Sequence, residues 1–184
     1  MATATRRPWT AEELARLPEG WRYEIDEGEL IIMAPAGVDH GDHTANVTAL
    51  LRTFARRRQL GKVLTGEVGF RLRTGRSQTL RAADVAFVSN ERLARIADRR
   101  GFSDVPPDLA VEIHDLSEPD LQRKIGQYLT AGVRSVWVID PERRTLTRYG
   151  HGQAPRIWDQ ADAIVDEPVL PGFSATLGEI LGEA

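Results

Sequence analysis

Two carboxylates stand where a buried strand would ordinarily carry apolar side chains, and they constrain this chain more than any other feature. Ala82-Ala83-Asp84-Val85-Ala86-Phe87-Val88 and Leu109-Ala110-Val111-Glu112-Ile113 each read as a core strand with one acid set inside it. A buried charge is heavily penalised unless it is partnered. Each acid therefore meets solvent on an edge strand, forms a private salt bridge, or shares one compensating charge with the other. All three readings stand on the residues alone, and the third makes a chemical prediction. With no cysteine anywhere in the chain, thiolate ligands are excluded. Oxygen-only ligands suit a hard cation such as Mg²⁺ (or Mn²⁺), held by one or two carboxylates, waters and a substrate phosphate.

At 184 residues the chain has room for one domain with a substantial core and none for a second. Hydrophobic residues at 41% and charged residues at 28% place it among globular sequences rather than disordered ones. Absence of cysteine makes a cytoplasmic setting the expectation. No stretch approaches the roughly 18 consecutive apolar residues of a membrane span, and residues 1–9 lack the apolar segment of a secretion signal. The net charge of −3 hides an uneven distribution. From Arg52 to Arg81 nine basic residues face one acid, Glu67, whereas six acids and no base follow from Asp159 onward. The basic segment fits either a phosphate-backbone partner or a solvated arginine-rich face. A sequence pI of about 5.8 argues against a non-specific DNA coat protein.

Along the chain, Thr10 with Glu13 forms a capping box that opens a short helix reaching about Leu17. Arg22–Ile25 and Glu29–Ala34 read as a hairpin across the turn Asp26-Glu27-Gly28. His40 to Arg58 carries apolar residues at helical spacing, with Gly61 as its stop. His40 and His43 continue that stripe and read as core or cap neighbours rather than ligands. Strands are predicted over Val63–Leu72, Ala82–Val88, Leu109–Ile113, Ser135–Asp140 and Thr145–Tyr149. Helices are predicted over about Asn90–Ala97 and Pro119–Ala131, the latter stopped by Gly132. The tail reads as irregular, ending in a short helix near Leu177–Leu181. This order gives a mixed α/β sheet covered by helices and extended by the N-terminal hairpin.

Lys124 is the third candidate for the site. Of 24 basic residues only Lys62 and Lys124 are lysine, so a chain that otherwise uses arginine keeps a compact ammonium at these positions. On the helix after Pro119, Lys124 falls at the edge of the stripe formed by Leu121, Ile125, Tyr128 and Leu129. It can reach toward Glu112 from there, or snorkel to water.

Seven segments in order carry a resemblance: Arg22-Tyr23-Glu24 with Gly28-Glu29-Leu30, Ala83 to Val88, Asp108 to Ile113, Lys124 to Tyr128, Ala131-Gly132-Val133, Val136 to Pro141, and Leu170-Pro171-Gly172-Phe173. Together they resemble the Uma-two family of restriction-endonuclease-like proteins, within the PD-(D/E)XK nuclease superfamily, from about Trp9 to Leu181. The resemblance implies a restriction-endonuclease-like α/β fold: one domain over 1–184, with a core of about 20–150 and a tail of 151–184 packed on it. It implies a Mg²⁺-dependent DNA endonuclease with Asp84 and Glu112 as metal ligands, Lys124 as the catalytic lysine, and Glu24 as a further active-site acid. A homodimer follows by analogy, since paired cuts need two sites.

Two departures bear on activity. Ala83 replaces the family's proline. His114 stands two residues after Glu112, on the same strand face, where it either assists as base or ligand or marks a drifting site. Arg56, Arg57, Arg58 and Lys62 are the candidate nucleic-acid contacts. The alternative function is a catalytically weakened nuclease fold that serves as a nucleic-acid or protein binding module. A purely structural scaffold would be indicated if Asp84 and Glu112 were simply paired with arginines.

Overall fold

A computed structural model describes residues 7–18, 22–66, 68–75, 77–113, 118–159, 162–165 and 167–183. The first element, α1 (Ala11–Leu14), is set by the predicted capping box: Thr10 Oγ1 accepts from the Glu13 amide and the Glu13 carboxylate accepts from the Thr10 amide. The hairpin follows as β1 (Arg22–Asp26) and β2 (Glu29–Met33). Its two linking residues, Glu27 and Gly28, have φ of 49° and 90°, the left-handed pair that a tight hairpin turn requires.

Helix α2 (Val38–Arg57) buries Val47, Leu51 and Ala55. Its C-terminus corrects one expectation. Gln59 takes the left-handed position (φ 53°), whereas Gly61 opens the next strand. Gly61 is needed there for a different reason: a Cβ at this position would lie 2.1 Å from the Val88 carbonyl oxygen.

The two longest predicted strands are each broken in two. Val63–Leu72 resolves into β3 (Gly61–Thr65) and β4 (Gly69–Leu72), with Gly66 at φ 76° between them. Ala82–Val88 resolves into β5 (Thr79–Ala82) and β6 (Val85–Ser89), with Ala83 and Asp84 at the break. The reason is that the chain changes sheets at both places. Strands β4 and β5 join the hairpin in a four-stranded sheet of order β2-β1-β5-β4. Strands β3 and β6 belong to the second sheet. Asp84 therefore sits at a sheet-to-sheet bend, where the Thr65 hydroxyl donates to its carbonyl at 3.0 Å.

After α3 (Asn90–Arg95), the remaining elements are β7 (Leu109–Ile113), α4 (Glu118–Thr130), β8 (Ser135–Asp140) and β9 (Thr145–Tyr149). The tail holds three short strands that the sequence did not signal, β10 (Arg156–Trp158), β11 (Ala163–Ile164) and β12 (Ala175–Thr176), and then α5 (Leu177–Leu181). The larger sheet runs β10-β9-β8-β7-β6-β3. Its one parallel pair, β7 with β8, is joined through α4, the helical crossover that a parallel connection demands.

Each face of that sheet is covered. Helix α2 and the tail residues Ile164, Leu170, Phe173, Leu177 and Ile180 pack over Val85, Phe87, Val111, Trp137 and Ile139. On the other face Leu121, Ile125 and Tyr128 of α4 pack over Ala86, Val88, Ala110, Val136 and Val138. The alternation along β6 and β7 follows from the period of two in strands.

Candidate active site

Asp84 and Glu112 arrive at one place because β6 and β7 are antiparallel neighbours, with Val85 opposite Val111. The acids therefore leave the ends of adjacent strands. The Ile113 amide donates to Asp84 Oδ2 at 2.8 Å, tying the bend to β7. Asp84 Oδ1 lies 3.1 Å from His40 Nε2, on the first turn of α2, and 3.6 Å from the Arg22 guanidinium of β1. Asp84 and Glu112 line a cavity of about 290 Å³ together with Lys124, Arg22 and the loop from Met33 to Gly37.

Helix α4 supplies the cation and a hydroxyl. Lys124 Nζ donates to Glu112 Oε2 at 2.8 Å and to the Ala82 carbonyl at 3.2 Å, and lies 3.1 Å from Glu24 Oε1. These three oxygens form a cage for a compact ammonium that a planar guanidinium would not fit. The Tyr128 hydroxyl, one turn further on, donates to Glu112 Oε1 at 2.8 Å.

A buried ionic network backs this cage. Glu24 is 2% exposed; it accepts from the Ala82 amide at 2.9 Å and from Arg81 at 2.8 Å. Arg81, itself 4% exposed, spends its other nitrogens on Asp26 at 2.9 Å and Gln127 at 2.8 Å. Gln127 closes the ring by donating to Asp26 at 2.6 Å. Glu24 thus touches Lys124 but does not line the cavity.

The protonation equilibria follow from these contacts. Burial pushes Glu112 up, and although Lys124 opposes it, the negative charges of Asp84 and Glu24 add to the rise, leaving its pKa at about 7. Asp84 moves the other way. Burial would raise it, but the His40 hydrogen bond and the Ile113 amide hold it below the usual carboxylate range. Glu24 is likewise held low, since Lys124 and Arg81 outweigh its burial. Lys124 is held above the ordinary lysine value: burial opposes its charge, and Glu112 and Glu24 more than restore it.

The structure thus brings together four of the sequence-predicted residues: Glu24, Asp84, Glu112 and Lys124. His114 lies outside the described residues. The basic candidates do not form one patch. Arg56 and Lys62 line a separate cavity with Arg52, Arg57 lines another with Phe54 and Phe173, and Arg58 stacks over Phe54 with 5.4 Å to the ring centroid. Sequence reasoning missed Arg22, Tyr128 and Arg81, and set His40 aside. The available signals were a histidine continuing an apolar stripe, and an arginine immediately before a run reading as core.

As a cation site the arrangement has two carboxylates on one cavity and only oxygen donors. Among the described residues no group of three or more His, Cys, Asp and Glu side chains is placed to hold a metal ion. Two carboxylates completed by waters and a phosphate suffice for Mg²⁺, and the mutual repulsion of Asp84 and Glu112 is what a divalent ion would relieve. The residues present fit such an ion.

The whole is a mixed sheet flanked by helices, with an Asp, a Glu and a Lys meeting at a strand bend. Residues 11–178 match the family described as "Uma2: Putative restriction endonuclease", and the chain belongs to that family. Among solved structures it is similar to "a putative nuclease belonging to DUF820" from Anabaena variabilis ATCC 29413, with TM-score 0.79 and 20% sequence identity. The match covers 96% of this chain and 99% of that one. No curated protein matches. Among the described residues no helix is long and apolar enough to cross a membrane.

Proposed function

We propose that this protein is a divalent-metal-dependent endonuclease that hydrolyses phosphodiester bonds, with DNA as its substrate. The observation that carries the reading is the convergence of Asp84, Glu112 and Lys124 on one cavity. Asp84 and Glu112 would hold Mg²⁺ or Mn²⁺, which when bound would polarise the phosphate and acidify an attacking water. Lys124 places a permanent positive charge where negative charge develops on the phosphate. Tyr128 fixes the Glu112 carboxylate, and Glu24 with Arg81 fixes the ammonium. Arg22 and His40 orient Asp84 at the cavity wall. On this reading the chain 1–184 works as one cytoplasmic unit, the core of about 20–150 carrying the site and the tail packing on it, and two copies pair to cut both strands.

Incubation of plasmid with the protein and Mg²⁺ or Mn²⁺ tests the reading. Nicking or linearisation that disappears in Asp84→Ala supports it. No cleavage with either ion, or cleavage unchanged in Asp84→Ala, ends it. A second reading, a binding module without turnover, draws on the engagement of both Glu112 oxygens by Lys124 and Tyr128. It is distinguished by DNA binding without cleavage at any metal concentration.

A further inference from the structure

The basic segment that the sequence singled out resolves into a built groove away from the catalytic cavity. Arg52 and Arg56 of α2 and Gly61 to Leu64 of β3, Lys62 among them, enclose about 430 Å³. Among the described residues no carboxylate lines it, although Lys62 also borders the adjoining cavity that Asp98 lines, whereas arginines elsewhere, such as Arg81 and Arg92, are neutralised by Glu24 and by Asp108. Three cations bordering one concavity give it the charge of an anion site. Strand β3 is the edge of the larger sheet, so the groove is open along its length.

Both walls of the groove lead to the active site. At its far end β3 reaches Thr65, whose hydroxyl holds the Asp84 carbonyl. At the other end of α2, His40 holds the Asp84 carboxylate. Arg52 stands twelve residues along the helix from His40, which at 1.5 Å per residue is about 18 Å. That distance equals roughly five base-pair steps of 3.4 Å.

We infer that this groove is a sequence-independent track for the phosphodiester backbone of the nucleic acid flanking the cut, engaged about five nucleotides from the reacting phosphate. The inference rests on the nuclease reading, and it adds a second site that the catalytic residues do not supply. Arg56 and Lys62 belong to the track and Arg52 joins them. Arg57 and Arg58 face elsewhere and do not.

The test is fluorescence anisotropy of labelled duplexes in chelator, so that binding is read without cleavage. Wild-type affinity should rise as one flank is lengthened from about two to about six base pairs. Arg52→Ala/Arg56→Ala/Lys62→Ala should lose that gain, bind the long duplex at least tenfold more weakly, and show a salt slope shallower by about 2 to 3. Arg56→Glu alone should weaken binding further than Arg56→Ala, and Arg143→Ala, on the Pro141–Arg144 turn, should change nothing. All positions are exposed, and a thermal melt confirms that each variant is folded. A triple variant with wild-type affinity and slope overturns the inference and leaves these cations as guards against edge-to-edge strand pairing. A wild type that binds no duplex overturns it as well. Mg²⁺-dependent cleavage, measured separately, decides the nuclease reading, so one can fail while the other stands.

Discussion

Lys124 shows most directly how single residues set the chemistry. Its ammonium meets Glu112, Glu24 and the Ala82 carbonyl at 2.8, 3.1 and 3.2 Å, a cage that a longer, planar guanidinium would have to break. Lys124→Arg is therefore expected to be as damaging as Lys124→Met, each lowering single-turnover cleavage on the order of 10²-fold. Rescue by arginine would show that only charge matters. Glu112 gives a pH signature. Its pKa of about 7 lies above the ordinary 4.5, so folding favours its protonated form. The stability this gives is fully present below about pH 4.5 and is lost as pH rises through about 7, roughly 3 kcal/mol in all. Urea unfolding in chelator should show that fall in the wild type between pH 5 and 8, and Glu112→Gln should lack it. Parallel pH profiles for the two proteins would refute the assignment.

At the scale of elements, the hairpin, β7, β8, β9 and α5 were legible because each is a short run with one periodicity, bounded by turn residues. The breaks in Val63–Leu72 and Ala82–Val88 were not legible. A strand that leaves one sheet for another keeps its alternation on both sides of the bend, and nothing in Ala82-Ala83-Asp84-Val85 marks the change. Site residues followed the same division. Asp84 and Glu112 stood out because charge inside a core strand is costly, whereas His40 and Tyr128 passed as members of apolar stripes. Arg81 needs its partners Glu24, Asp26 and Gln127 in view before its role is visible, and all three lie more than 40 residues away in sequence. Gly61, expected as a helix stop, is instead an element-packing residue. Gly61→Ala would set a methyl 2.1 Å from the Val88 carbonyl and 2.8 Å from the Ser89 Cα, both backbone atoms that cannot swing aside. It should cost about 1–3 kcal/mol by urea unfolding, where a glycine that served only as a helix stop would tolerate alanine at a smaller loss.

For the whole molecule, the tail builds the core on the α2 face, and among the described residues none of it bonds to Asp84 or Glu112. Ile164, Leu170, Phe173, Leu177, Ile180 and Leu181 fill the α2 face of the core, and the Leu181 carbonyl meets His43 Nδ1 at 3.1 Å, one turn beyond His40. Glu167, 2% exposed, ties the tail to β8 by accepting from Trp137 Nε1 at 2.7 Å and Ser135 Oγ at 3.0 Å. Removing residues 160–184 would strip several large side chains from one core, each of the kind whose truncation costs about 2–5 kcal/mol. Their sum exceeds the roughly 5–15 kcal/mol that holds a domain together, so the truncated chain should lose its cooperative thermal transition. A subtler variant separates packing from anchoring. Glu167→Ala leaves the Trp137 indole N–H and the Ser135 hydroxyl buried without their acceptor, a loss of about 2–4 kcal/mol. It should lower the urea midpoint and shift Trp137 emission while leaving Mn²⁺ affinity in the folded protein unchanged, because Asp84 and Glu112 are held by β6, β7 and α4. If calorimetry instead shows Mn²⁺ binding falling with the anchor, the tail reaches the site through α2 and His40, and the two halves of the fold are coupled more tightly than their contacts indicate.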